Sequence, residues 1–202
     1  RATGPNTFEA RSHDGRVTFC RDGDDFGVEE IDGRDPLGDQ AVDRFAGLEA
    51  ELAVRYPSRA QNSYPYAYAS VAQLFDHPSP PDLCVIHSAA HNWEDQGGHR
   101  GEHGSLDVVQ ARAPFIIGGA GVKRLGLVDR ACRLVDVAPT VLALLGAGPL
   151  ARQDGDAMTD LFDGDAPQQV VGFLFDGCNP NVLYDMAARD EAPNVARLMS
   201  MG

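Results

Sequence analysis

The sequence predicts an α/β fold with a mostly parallel sheet flanked by helices. Three apolar runs bounded by turn residues carry that expectation: Asp82–His87, Pro114–Ile117 and Gln169–Phe175. Runs of this length read as strands buried on both faces, the pattern of parallel sheets, and here they alternate with segments at helical spacing. In such sheets ligands bind beyond the carboxyl ends of the strands. That rule points to the polar loop after His87 and to Asp176, which follows the third run.

Taken in order, residues 1–38 form an irregular, β-type N-terminal segment. Apolar beats at Phe8, Val17, Phe19, Phe26, Val28 and Ile31 predict two or three short strands, joined by turns such as Asp14-Gly15 and Asp32-Gly33. From Asp39 to Tyr56, Val42, Phe45, Leu48, Leu52 and Val54 recur near helical spacing, with Asp39 as N-cap and Pro57 as the stop. A second helix is expected over 65–75, where Tyr64, Tyr66 and Tyr68 either line a groove or pack as an amphipathic face. A third runs from Leu134 to Leu145, with Asp136 as N-cap, Pro139 in the first turn and Gly146 at its C-terminal end. Residues 151–168 read as a linker. The segment 169–202 then supplies the strongest strand and two helical stretches, at about 180–188 and 193–201.

Composition bounds the function. The formal net charge of −13 leaves no basic footprint for nucleic acid or anionic lipid. It does not exclude phosphate esters, because metal ions can stand between carboxylates and such a ligand. No apolar run reaches the length that spans a bilayer. Cys20, Cys84, Cys132 and Cys178 are scattered without a C-x-x-C pair, so they are expected to be reduced thiols packed as small hydrophobes. Reduced cysteines and the lack of a signal core lean towards the cytoplasm. The first residue is not Met and the last residues read as the interior of a helix, so the chain is expected to be a fragment.

The densest chemistry lies at 87–105, where His87, His91, His99 and His103 are four of the six histidines, with Glu94, Asp95 and Glu102 among them. Imidazole and carboxylate together suit zinc and related ions, and the interspersed glycines let separated ligands converge. A solvated loop that happens to hold histidines is the alternative. Asp176, expected to be partly desolvated at a strand end, either meets a cation or caps the following helix. Cys178 has no evident base beside it and Thr140 reads as a helix-start hydroxyl, so neither serves as a nucleophile.

The run Gly101-Glu102-His103-Gly104-Ser105-Leu106-Asp107, followed by Arg112-Ala113-Pro114-Phe115-Ile116-Ile117-Gly118-Gly119-Ala120-Gly121-Val122, resembles the C-terminal part of the type I phosphodiesterase and nucleotide pyrophosphatase family of the alkaline phosphatase superfamily. Val135–Gly146 is similar to the D-x-x-P-T helix that closes many of its members. Val170–Gly177, with Ala192–Leu198 after it, looks like the opening strand and first helix of the same domain. The resemblance implies an alkaline-phosphatase-like but incomplete fold, with 39–150 as the closing portion and 169–202 as a truncated opening portion. The order is inverted, which leaves tandem domains, circular permutation or an insertion as readings.

By resemblance, the complete protein is a metal-dependent hydrolase of phosphodiester or nucleotide pyrophosphate bonds. Two divalent ions, zinc or alternatively manganese, clamp the phosphoryl group. The resemblance assigns His103 to one metal and Asp176 to the other, with His99 and Glu102 as accessory ligands. Glu102-His103-Gly104 also reads as a stand-in for the family's Asp-His-Gly segment. No nucleophile is identified. The implied partner is a small-molecule phosphate ester or nucleotide. Two other readings share these residues: a degenerate, non-catalytic scaffold domain, and a sulfatase-like or phosphomutase-like relative.

Overall fold

The computed structural model describes residues 1–40, 64–87, 104–128, 130 and 132–202. These fall into two units, one holding the described residues up to Arg112 and the other those from Ala113 to Gly202.

The first unit is built on a four-stranded antiparallel meander: β1 (Ala2–Gly4), β2 (Thr7–Ser12), β3 (Gly15–Asp22) and β4 (Asp25–Gly33), paired in chain order. Two-residue turns at 5–6, 13–14 and 23–24 join them. Gly23 (φ +62) takes the left-handed conformation in the last of these. Asp32-Gly33, expected to be a turn, instead closes β4, with Gly33 opposite Gly15.

The period-2 alternation sorts the faces. Phe8 pairs with Phe19 and Ala10 with Val17 on one side, while Glu9 faces Thr18 and Arg11 faces Arg16 on the other. Helix α1 (Ala67–Phe75) covers the apolar side. Ala67, Ala72, Val71 and Phe75 join Phe8, Val17 and Phe19 in one cluster. Phe19 is 0% exposed. Its ring stacks on Tyr68 with centroids 4.2 Å apart and on Phe8 at 5.4 Å.

Tyr68 and Tyr64 are thus packing residues, and Tyr66, at the helix N-cap with φ 58, stays half exposed. The Tyr68 hydroxyl donates to Asp35 Oδ2 at 2.7 Å. Burial and then the Asp35 carboxylate push its phenol well above the usual range. The C-terminal end of α1 is tied down by a bidentate pair in which both Arg21 nitrogens donate to Asp76 at 2.7 Å.

In the second unit a 3-10 turn (Leu134–Asp136) runs into helix α3 (Val137–Leu144); α2 is the short Val108–Ala111 helix of the first unit. Helix α3 ends as expected at Gly146. With φ +69 there, Gly146 N–H donates to Ala143 and Ala147 N–H to Leu142, a Schellman closure. Helices α4 (Pro180–Ala188) and α5 (Pro193–Met199) follow, close to the expected bounds. Asn179 caps α4 through its side-chain oxygen, which accepts from Asn181 and Val182 N–H.

The expected mostly parallel sheet, and with it the alkaline-phosphatase-like fold, is overturned. Among the described residues the only sheet is the antiparallel meander, drawn from the Asp- and Gly-rich start of the chain. Asp82–His87, Pro114–Ile117 and Gln169–Phe175 are not strands. Far from being buried, Phe173, Leu174 and Phe175 are 75%, 94% and 64% exposed. The physical reason is pairing. Apolar composition supplies a surface to bury, but a strand exists only where a neighbour completes its hydrogen-bond ladder. Residues 1–33 find neighbours across two-residue turns, where closure costs little entropy. The three apolar runs have no such neighbour nearby in sequence. The expected helix over 39–56 lies, beyond Gln40, outside the described residues.

Candidate functional site

Three of the four residues assigned to metal, His99, Glu102 and His103, lie outside the described residues, as does His91. The chain becomes described again at Gly104, and the segment directly after His103 is held tightly. Ser105 and Asp107 are buried. Ser105 N–H donates to Gln110 Oε1 at 3.1 Å, and Ser105 Oγ accepts from Asp107 N–H at 3.1 Å. Asp107 stands at the N-cap of α2. This Ser-x-Asp arrangement fixes the chain leaving the histidine cluster. In the sequence both residues stand only within the motif run, yet a Ser two residues before a helix-start Asp is a local capping signal.

Asp176 is described, and its setting differs from the expectation. It follows an exposed, non-strand segment rather than a buried strand, and it is itself exposed. Gly177 (φ +64) turns the chain directly after it. An exposed carboxylate does not require a cation to offset desolvation, so burial does not favour Asp176 as a metal ligand. Nor does it cap α4, since Asn179 does that. Among the described residues no three His, Cys, Asp or Glu side chains gather as a metal site requires. The donor set His103, His99, Glu102 and Asp176 is chemically suited to zinc, being imidazole and carboxylate.

The remaining candidates resolve into structural roles. Thr140 is 1% exposed, with Oγ donating to the Asp136 carbonyl and accepting from Met158 N–H at 3.0 Å. Both capacities of the hydroxyl are used within the fold, which rules it out as a free nucleophile. Burial pushes the Cys178 thiol up, away from the thiolate that nucleophilic attack needs. Cys84 and Cys132 are exposed, contrary to the expectation of packed small hydrophobes, while Cys20 and Cys178 are partly buried.

Asp136, expected as a simple cap, is the centre of a buried network. Its carboxylate accepts from Arg133 N–H at 2.9 Å, from the Arg133 guanidinium at 3.2 Å and from Asp156 N–H at 3.0 Å. Burial opposes its charge, but these donors outweigh that and hold the carboxyl below its ordinary value. Gly155 is obligatory beside it, because a Cβ there would sit 2.2 Å from the Val135 carbonyl oxygen. The network pins the 153–158 loop onto the start of α3. Its sequence signal is the Asp at a helix start, and the distant donor at Asp156 leaves none.

A second buried carboxylate, Glu9, lies on the charged face of the meander. Arg11 Nε donates to it at 2.7 Å and Arg1 Nε at 3.0 Å, with Arg16 3.8 Å away. The Arg11 hydrogen bond, working against burial and helped by Arg1, lowers its pKa to about 2. All of its partners are side chains of the meander itself, so the cluster is self-contained. No helix among the described residues is long and apolar enough to cross a membrane.

Set against protein-family models, curated proteins and solved structures, the chain matches none of them, so the resemblance to phosphodiesterases rests on its motif residues alone.

Proposed function

We propose that the complete protein is a metal-dependent hydrolase of phosphodiester or nucleotide pyrophosphate bonds. One observation carries this reading: the segment Gly101–Asp107 followed by Arg112–Val122, with Val170–Gly177 supplying a second carboxylate motif. His103 would hold one divalent ion and Asp176 the other, with His99 and Glu102 as accessory ligands. When bound, such ions neutralise charge developing on a phosphoryl group. The support is the donor chemistry and the motif residues themselves, independent of any parallel sheet.

The test is zinc and manganese analysis of the complete protein together with hydrolysis of bis(p-nitrophenyl) phosphate. Wild type is expected to carry metal and turn over the diester, and His103→Ala and Asp176→Ala to lose both. Unchanged metal content and unchanged turnover in the two variants would overturn the assignment. Metal binding without turnover would favour the non-catalytic scaffold reading. Hydrolysis of a sulfate ester instead would move the protein to the sulfatase-like class.

A further inference from the structure

The second unit holds an open cleft of about 710 Å³, lined by Gly119, Ala120, Val122, Lys123, Arg124 and Leu125, with Asp163 and Met201. In a chain of net charge −13, two adjacent cations in one concavity stand out. Lys123 is already oriented, since its ammonium donates to the Asp160 carbonyl at 2.9 Å. Arg124 is exposed and makes no hydrogen bond or ion pair among the described residues. The nearby Arg130 is committed elsewhere, to Asp160. The backbone that lines the cleft turns at Gly119 (φ +116), with Gly121 (φ +85) two residues on. The N–H groups of Gly119 and Ala120 find no acceptor among the described residues.

The turn is fixed from behind. Val122 bridges Phe162, Lys123 N–H donates to Leu161, and Asp163 N–H donates to Gly121. A Cβ at Gly121 would lie 2.3 Å from the Asp165 carbonyl oxygen, so the backbone is held there by close approach. The backbone directly after the two donors is therefore held in place.

We propose that this cleft binds the phosphate group of a small phosphate monoester. Successive unpaired backbone N–H groups in a glycine turn make an anion-binding concavity, and a guanidinium adds a fork matched to phosphate oxygens. The turn amides, the Lys123 ammonium and the Arg124 guanidinium together supply two positive charges and several donors, which suits the higher charge and three free oxygens of a phosphate monoester over a carboxylate. Asp163 shares the cleft, with its Oδ1 accepting from Asp165 N–H. Its other oxygen repels a bare anion but accepts a hydrogen bond from a ligand hydroxyl. Val122, Leu125 and Met201 offer apolar surface to the organic part, and the volume exceeds what phosphate alone fills. None of these residues is a proposed metal ligand, so the inference stands or falls apart from the hydrolase reading.

The experiment is an NMR titration of the isotope-labelled chain with inorganic phosphate, glycerol 3-phosphate and acetate. It is run with chelator present and at constant ionic strength, so that neither metal nor bulk screening contributes. Saturable shifts at the Gly119 and Ala120 amides are expected with both phosphates, tighter for the ester and absent for acetate. Lys123→Ala with Arg124→Ala is expected to weaken binding at least about 10-fold, as loss of charge-assisted bonds does. Both side chains are exposed, and the wild-type shift map is decisive even if the variant fails to fold. No saturation, shifts lying elsewhere, undiminished affinity in the double variant, or acetate binding as well as phosphate would each overturn the proposal.

Discussion

The meander at 1–33 and the segment at 169–175 are opposites in the way they use apolar residues. The meander is sparse in them and interleaved with charge, yet Phe8, Val17 and Phe19 are fully buried. The later segment carries five large apolar residues in seven, yet among the described residues it is neither a strand nor covered. Strand formation follows the availability of a partner, and partners are cheapest across a tight turn. Apolar content states how much would be gained by burial, not whether burial occurs.

The largest effect that contrast predicts is at Phe19. Truncation to Ala in the centre of the aromatic stack removes contacts with Phe8, Phe26 and Tyr68. A loss of about 3–5 kcal/mol is expected, as for buried aromatics generally. Urea unfolding followed by circular dichroism reads it directly. A loss below roughly 1 kcal/mol would mean that the stack does not organise the meander.

Next comes Thr140→Val, which keeps the shape and removes a hydroxyl serving both the Asp136 carbonyl and Met158 N–H. Leaving that buried N–H without a partner is expected to cost about 1–3 kcal/mol. Faster hydrogen exchange at the Met158 amide is the specific signature. An unchanged exchange rate there would show that the hydroxyl is not the acceptor in solution.

The Glu9 cluster gives a smaller, pH-dependent term. Its carboxyl is held at about 2 against an ordinary value of 4.5. A depressed native pKa stabilises the fold above the unfolded-state value, and that contribution is lost as pH falls from about 4.5 towards 2. Arg1 and Arg11 are more than half exposed, so solvent screening trims the effect to roughly 1–2 kcal/mol. The Glu9→Gln variant should therefore lose stability at neutral pH and show a flatter acid limb than wild type. Parallel acid limbs for the two proteins would remove Glu9 from the account.

Legibility in the sequence tracked the same distinction between local and distant partners. Helices α1, α3, α4 and α5 fell close to their expected ranges because caps and spacing are local signals: Pro180, Pro193 and Gly146 each act within one turn. The hairpin near Asp14-Gly15 was legible for the same reason, though its turn lies one residue earlier, at His13-Asp14, with Ser12 and Gly15 paired across it. The parallel sheet was misread because pairing between distant runs leaves no mark on either run alone. At the candidate site, residue types at 99, 102 and 103 were readable as metal-ligand chemistry, whereas the exposure of Asp176 depended on the fate of the segment before it. Asp136 showed its cap but not its donor twenty positions on, at Asp156.

The smallest expected effect is the one that probes the contrast most sharply. Leu174→Ser removes a large apolar side chain that is 94% exposed. A side chain already in water has nothing to lose by truncation, so stability should change by no more than about 0.5 kcal/mol, the range of ordinary surface substitutions. Set beside Phe19→Ala in the same urea assay, the pair separates apolar content from apolar burial within one chain. A loss approaching 2 kcal/mol at Leu174 would be the cost of unburying a leucine. It would mean that the 169–175 segment is covered in solution, and the comparison between the two regions would then be one of where the partner comes from and not of whether there is one.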